Sequence, residues 1–171
     1  MPTWPIIVSA PCLLASSTVI SRVQIVIDAA AKHGRRVFVT GRSMVNNVQM
    51  AREMGYLRVP NGVLMTANEM TNHPTAKTIV ICTGSQGEPT SALTRMATGT
   101  HQQIAIQEGD TVILSSNPVP GNEKFVYKNI DLLMESGAKV IYNRISDVHV
   151  RGHAAREELK IIHRLVRPKY F

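Results

Sequence analysis

Two histidines, His149 and His153, stand four residues apart in Asp147-Val148-His149-Val150-Arg151-Gly152-His153. On a helix that spacing would make a metal-binding pair. The alternating valines and Gly152 point instead to a strand leaving into a turn, with His149 on the face opposite Val148 and Val150. Neutral imidazoles there can coordinate a metal, and charged ones can hold a phosphate. A second chemically rich stretch is Thr83-Gly84-Ser85-Gln86-Gly87-Glu88-Pro89. Its glycines let a backbone approach an anion closely, and Ser85 and Gln86 can hydrogen-bond; a plain turn between strand and helix would read the same. It has neither the Lys-Ser/Thr of a Walker loop nor the GxGxxG spacing of a dinucleotide site. No HxHxDH or HExxH sequence occurs, and no further His/Asp set has ligand spacing. Ser85 and Ser115 have no base partner in view, so a nucleophilic triad is unsupported.

These stretches fall between elements that alternate along the chain. Thr18 to His33 carries Val19, Val23, Val26, Ile27 and Ala30 on one helical stripe and is stopped by Gly34; residues 35–40 then form a β-branched strand. Met44 to Met54 is a second helix before Gly55. Thr78 to Cys82 is a strand that opens into the Thr83 loop, with Pro89 in the first turn of a helix continuing over Thr90 to Ala97. Thr111 to Ser115 is the next strand, Ser116 to Asn122 its loop, Glu123 to Ser136 a helix and Ala138 to Tyr142 another strand. Ala154 to Val166 is the last helix, and Pro168 to Phe171 reads as the start of a strand. The pattern predicts one α/β domain with a parallel sheet covered on both faces. In such sheets ligands gather outside the carboxyl ends of the strands. Gly41-Arg42-Ser43, Thr83 to Glu88, Ser115 to Asn122 and Asp147 to His153 all belong there.

A chain of 171 residues, 44% hydrophobic and 18% charged, can bury a core without staples. Cys12 and Cys82 form no CxxC or Cys/His spacing, so neither a disulfide framework nor a zinc knuckle is expected, and a reducing cytoplasm is the expected compartment. No apolar run is long enough for a membrane span, and Met1 to Pro5 lacks the charged opening of a secretory signal. A net charge of +7 favours a polyanionic partner. The remaining histidines read as structural or surface groups: His33 at a helix end, His73 and His101 in loops, His163 on the last helix. Lys32, Arg35 and Arg36 make one basic corner. Met44, Met50, Met54, Met65 and Met70 read as core filler.

Several strings, in order, resemble the ribonuclease J family, in the β-CASP branch of the metallo-β-lactamase superfamily. They are Ser21 to Gln24, Val39 to Met44, Thr83 to Met96, Gly109 to Glu123, Asp147 to Ala154 and Glu157 to Phe171. The resemblance runs over nearly the whole chain from Ser21 and identifies it as the β-CASP domain, a Rossmann-like three-layer α/β insertion in a metallo-β-lactamase domain. It implies residues 1–153 as the β-CASP domain, with 154–171 a helix and the start of a return to the metallo-β-lactamase domain. Family members are cytoplasmic nucleases that cut RNA internally and degrade it from a 5′-monophosphate end. They use two zinc ions, sometimes manganese, held mainly by the metallo-β-lactamase domain, so no metal ligand is expected within this chain.

The resemblance also assigns roles. His153 matches the histidine of the second β-CASP motif near the scissile phosphate, where it orients or protonates the leaving group. His149 matches a neighbour that holds the substrate phosphate, with Arg151 and Gly152 between them. Ser85 and Gln86 are the expected contacts in the nucleotide-binding wall, and Glu88 and Glu123 are both candidates for the acidic first motif. Where this chain has Arg151 the family usually has Ser, which exchanges a phosphate-binding hydroxyl for a cation. Residues 10–19 fit the family poorly, being longer and more apolar. The HxHxDH ligands and the third-motif histidine are not in the sequence, so the chain alone is expected to be inactive, within a parent nuclease that is expected to be a homo-oligomer. Two other readings stay open: a stand-alone RNA-binding or regulatory module, and a small-molecule α/β enzyme that binds a nucleotide.

Overall fold

The computed structural model describes residues 12–16 as backbone, 20–146, 148 and 155–170. Strands β1 (Cys12–Ser16), β2 (Arg36–Thr40), β3 (Leu64–Met65), β4 (Thr78–Cys82), β5 (Thr111–Ser115) and β6 (Lys139–Tyr142) form one sheet in the order β3-β2-β4-β1-β5-β6. Every pairing is parallel, with Leu13 opposite both Val80 and Val112. Helices α1 (Ile20–Lys32), α2 (Arg42–Glu53), α3 (Ala67–Thr71), α4 (Ala92–Ala97), α5 (Glu123–Glu135) and α6 (Arg156–Val166), with a short 3-10 helix at Thr75–Lys77, complete the described elements. This is the α/β layering the alternation predicts.

The period of two along β4 explains the layering. All five of its residues are buried, as a central parallel strand requires. Ile79 and Ile81 join a cluster with Val23 and Ile27 of α1 and Met44 and Val48 of α2. Val80 and Cys82 join the opposite cluster with Leu93 and Met96 of α4 and Ile130 and Leu133 of α5. The chain therefore leaves β1 toward one face of the sheet and leaves β4 and β5 toward the other. Because β1 lies between β4 and β5, the switch in direction opens crevices at their carboxyl ends.

Several expected boundaries move, each for a local reason. Helix α4 begins at Ala92 rather than at Pro89, because Ser91 accepts a hydrogen bond from the Thr94 amide and caps it; Pro89 lies in the loop ahead. The second helix starts at Arg42, straight after Gly41. Leu64–Met65 and Ala67–Thr71, unexpected from the sequence, are a two-residue edge strand and a single turn of helix held by a Thr66–Glu69 capping box. Pro168 to Tyr170 form no strand. Met44 and Met65 are core residues, but Met50 and Met54 fall off the Met44-Val48-Ala51 stripe and are exposed. In the basic corner, Arg36 is structural: it donates to the Gly62 carbonyl at 2.7 Å and to the Glu69 carboxylate at 2.6 Å.

Helix α6 is exposed along its whole length, including Leu159, Ile162, Leu165 and Val166. Among the described residues no helix is long and apolar enough to cross a membrane.

Candidate nucleic-acid interface

The carboxyl ends of β4, β1, β5 and β6 gather three described loops: residues 83–91, 116–122 and 143–146. The first is shaped by its glycines. Gly87 has φ +76°, and a Cβ there would lie 2.6 Å from the backbone carbon of Phe125, so the loop rests directly on the first turn of α5. Gly84 has φ +113°, and its Cβ would meet the Ser91 side chain. Both glycines are thus accounted for by contacts within the protein. Ser85, between them, is buried.

Gln86 joins the first loop to the second. Its Nε2 donates to the Asn117 carbonyl oxygen at 2.9 Å, and its Oε1 accepts from the Val119 amide at 2.8 Å, so one side-chain amide spans Pro118. Asn117 in turn accepts from Asn143 Nδ2 through its own Oδ1 at 2.8 Å, which brings in the loop after β6. Glu88 is exposed, and its backbone carbonyl accepts from the Ser91 amide at 3.0 Å. Glu123, the first residue of α5, accepts from the Gly121 amide at 2.8 Å, a carboxylate placed at the positive end of a helix.

The crevice also holds a cation. Arg22, in the first turn of α1, donates from Nη1 to the carbonyl oxygen of Ser115 at 2.6 Å; partial burial lowers its pKa. The Ser115 hydroxyl donates to the carbonyl oxygen of Val148 at 2.6 Å. Residue 148, which immediately precedes His149, is therefore fixed at the carboxyl end of β5, beside Arg22.

Comparison with known proteins decides the family. A sequence model described as Ribonuclease J, beta-CASP domain, matches residues 9–133. The chain belongs to the β-CASP family of ribonuclease J. It is 45% identical to a ribonuclease J of Synechocystis over 89% of this chain and 24% of that protein. To ribonuclease J2 of Bacillus subtilis it is 43% identical over 88% of this chain and 27% of that protein. To a ribonuclease J of Thermus thermophilus it is 47% identical over 89% of this chain and 26% of that protein. The chain spans about a quarter of the length of the curated relatives it matches. The family match begins at residue 9, so it takes in the 10–19 stretch that fitted the resemblance poorly.

Of the residues this β-CASP domain was expected to use, Ser85, Gln86 and Glu88 belong to the 83–91 loop at the carboxyl edge and Glu123 opens α5 just after the 116–122 loop, while His149, Arg151, Gly152 and His153 lie outside the described residues. Ser85 is buried, and both polar ends of Gln86 are engaged in holding the first loop to the second. Arg22, Ser115, Asn117 and Asn143 were not singled out as site residues by sequence reasoning. Arg22 lies in the Ser21 to Gln24 string, and Ser115 and Asn117 lie in the Gly109 to Glu123 string; Asn143 alone carried no signal.

The described residues do not fit a metal centre. No three His, Cys, Asp or Glu side chains come together among them. His73 Nδ1 lies 3.1 Å from Thr78 Oγ1, and His101 Nδ1 accepts from the amides of Gln103 and Ile104. Burial, with Arg95 nearby, lowers the His101 pKa. The Cys82 thiol is buried in the core, and desolvation pushes its pKa up to about 12.

Proposed function

We propose that this chain is the RNA-gripping β-CASP domain of a ribonuclease J-type enzyme, and that it holds the RNA phosphate at the carboxyl-edge crevice. The reading is carried by the anchoring of Val148 to Ser115 beside Arg22, which sets the residue before His149 in a crevice lined by polar loops. In this reading His149, Arg151 and Gly152 bind the phosphate, and His153 orients or protonates the leaving group. Ser85, Gln86, Glu88 and Glu123 form the wall, with Glu88 or Glu123 as its acidic motif.

Hydrolysis is assigned to a metallo-β-lactamase domain outside this chain, which holds two zinc or manganese ions; bound there, they would supply an activated water and neutralise charge at the phosphate. The exposed apolar face of α6, with Leu159, Ile162 and Val166, is the surface proposed to pack on that domain. The parent is proposed to be a cytoplasmic, homo-oligomeric endonuclease and 5′-3′ exonuclease. The net charge of +7 supports a polyanionic substrate.

The test is to titrate the chain with 5′-monophosphorylated RNA in the presence of zinc or manganese. Binding that falls steeply with added salt, and no cleavage above a His153→Ala control, is the expected result. Undetectable binding at low salt, or cleavage above that control, contradicts the proposal.

A further inference from the structure

Beside the crevice, at the carboxyl ends of β5 and β6, lies a separate cleft of about 230 Å³. Its floor is apolar, built from Leu114, Val126, Ile130 and Tyr142, and its rim carries Asn117, Asn143, Arg144, Tyr127 and Glu123. The volume is below the roughly 300 Å³ at which drug-sized ligand sites begin, which limits the occupant to one small flat group. The rim is suited to such a group. The Arg144 guanidinium stands 5.2 Å from the centroid of the Tyr127 ring, so a cation and an aromatic ring meet at the wall.

The two asparagines add hydrogen-bonding specificity. Asn143 Nδ2 donates to Asn117 Oδ1, which leaves the Asn117 amide nitrogen and the Asn143 amide oxygen with no partner among the described residues. If both amides were turned round, the pair would still leave one nitrogen and one oxygen. An adjacent donor and acceptor is what the edge of a nucleobase requires. The Glu123 carboxylate on the same rim disfavours a phosphate in the cleft itself.

We infer that this cleft binds one unpaired nucleobase of the RNA, stacked against Arg144 and Tyr127 and hydrogen-bonded by Asn117 and Asn143. The inference rests on the RNA-binding reading above. Asn117 links the two sites: its backbone carbonyl is held by Gln86 at the crevice, and its side chain lines the cleft. A phosphate in the crevice and the neighbouring base in the cleft would thus be gripped by one loop. The site is expected to tolerate different bases, because stacking is available to any base.

The experiment compares binding of a 5′-monophosphorylated oligoadenylate with the same strand carrying abasic nucleotides, for the wild-type chain and for Asn143→Ala and Arg144→Ala. Both replaced residues are exposed, so neither variant empties the core. Wild type is expected to prefer the base-bearing strand by about tenfold. Both variants should lose most of that preference, losing far more affinity for the base-bearing strand than for the abasic one. Equal affinity of wild type for the two strands overturns the base site and leaves phosphate binding standing. A preference unchanged in both variants also overturns it. Failure of both strands to bind overturns the RNA reading together with the base site.

Discussion

The hydroxyl of Ser115 donates a 2.6 Å hydrogen bond to the carbonyl oxygen of Val148, across 33 residues of sequence. Ser115 ends β5, and its own carbonyl accepts from Arg22 of α1. One serine thus ties the segment that leads into His149 to the strand ends, next to a cation. The serine considered from sequence as a nucleophile without a base is instead a tether.

Replacing that serine should show the effect. Ser115→Ala is expected to cost about 1 kcal/mol of stability, the usual net value of one hydrogen bond, and to weaken RNA binding severalfold. Urea unfolding and fluorescence anisotropy measure the two quantities. Unchanged RNA affinity in a destabilised variant would mean that the tether holds the fold without setting the site.

Two glycines with similar backbone angles offer an internal control. Gly87 (φ +76°) would place a Cβ against the Phe125 backbone, whereas Gly121 (φ +98°) has nothing within 4 Å. Gly121→Ala is expected to cost about 1 kcal/mol, from backbone strain alone. Gly87→Ala should cost roughly 2 kcal/mol or more, since the loop must also lift off α5. Equal losses in denaturant titrations would show that the 83–91 loop shifts freely.

Acid stability should carry the signature of Glu69. Its carboxylate accepts from the Thr66 backbone amide and from Arg36, and these hold its pKa down to about 2 against an ordinary 4.5. A folded-state pKa below the unfolded one gives a contribution that is complete above about 4.5 and is lost as pH falls toward 2. The Tm gap between wild type and Glu69→Gln should therefore be widest near neutral pH and narrow through that acid range. A gap constant from neutral pH to pH 2 would contradict this account.

Buried strands were the most legible part of the sequence. Thr78–Cys82 and Thr111–Ser115 were read with their observed bounds, because β-branched runs buried on both faces end sharply at polar loops. The helix from Glu123 was read to within one residue, because Gly137 stops it. Leu64–Met65 is too short to show a period, and its neighbour Ala67–Thr71 is a single turn held by the Thr66–Glu69 capping box, too short for a helical stripe. Met50 and Met54 are exposed because helical phase, not residue type, decides which methionines along α2 face the core. For the site, residue types marked the right loops but could not reveal their wiring. That Gln86 spans Pro118, or that Asn117 meets Asn143, depends on which strands lie adjacent in the sheet.

The central claim is that the carboxyl edge of the sheet grips RNA, and amide chemical shifts during titration with 5′-monophosphorylated single-stranded RNA test it most directly. The account predicts that the largest changes fall at residues 83–88, at 116–122 and at Val148, while Gly34, Gly62, Gly109 and Gly137 at the opposite edge stay silent. Changes concentrated at those four glycines, or along Arg156, Lys160 and Arg164 of α6, would contradict it.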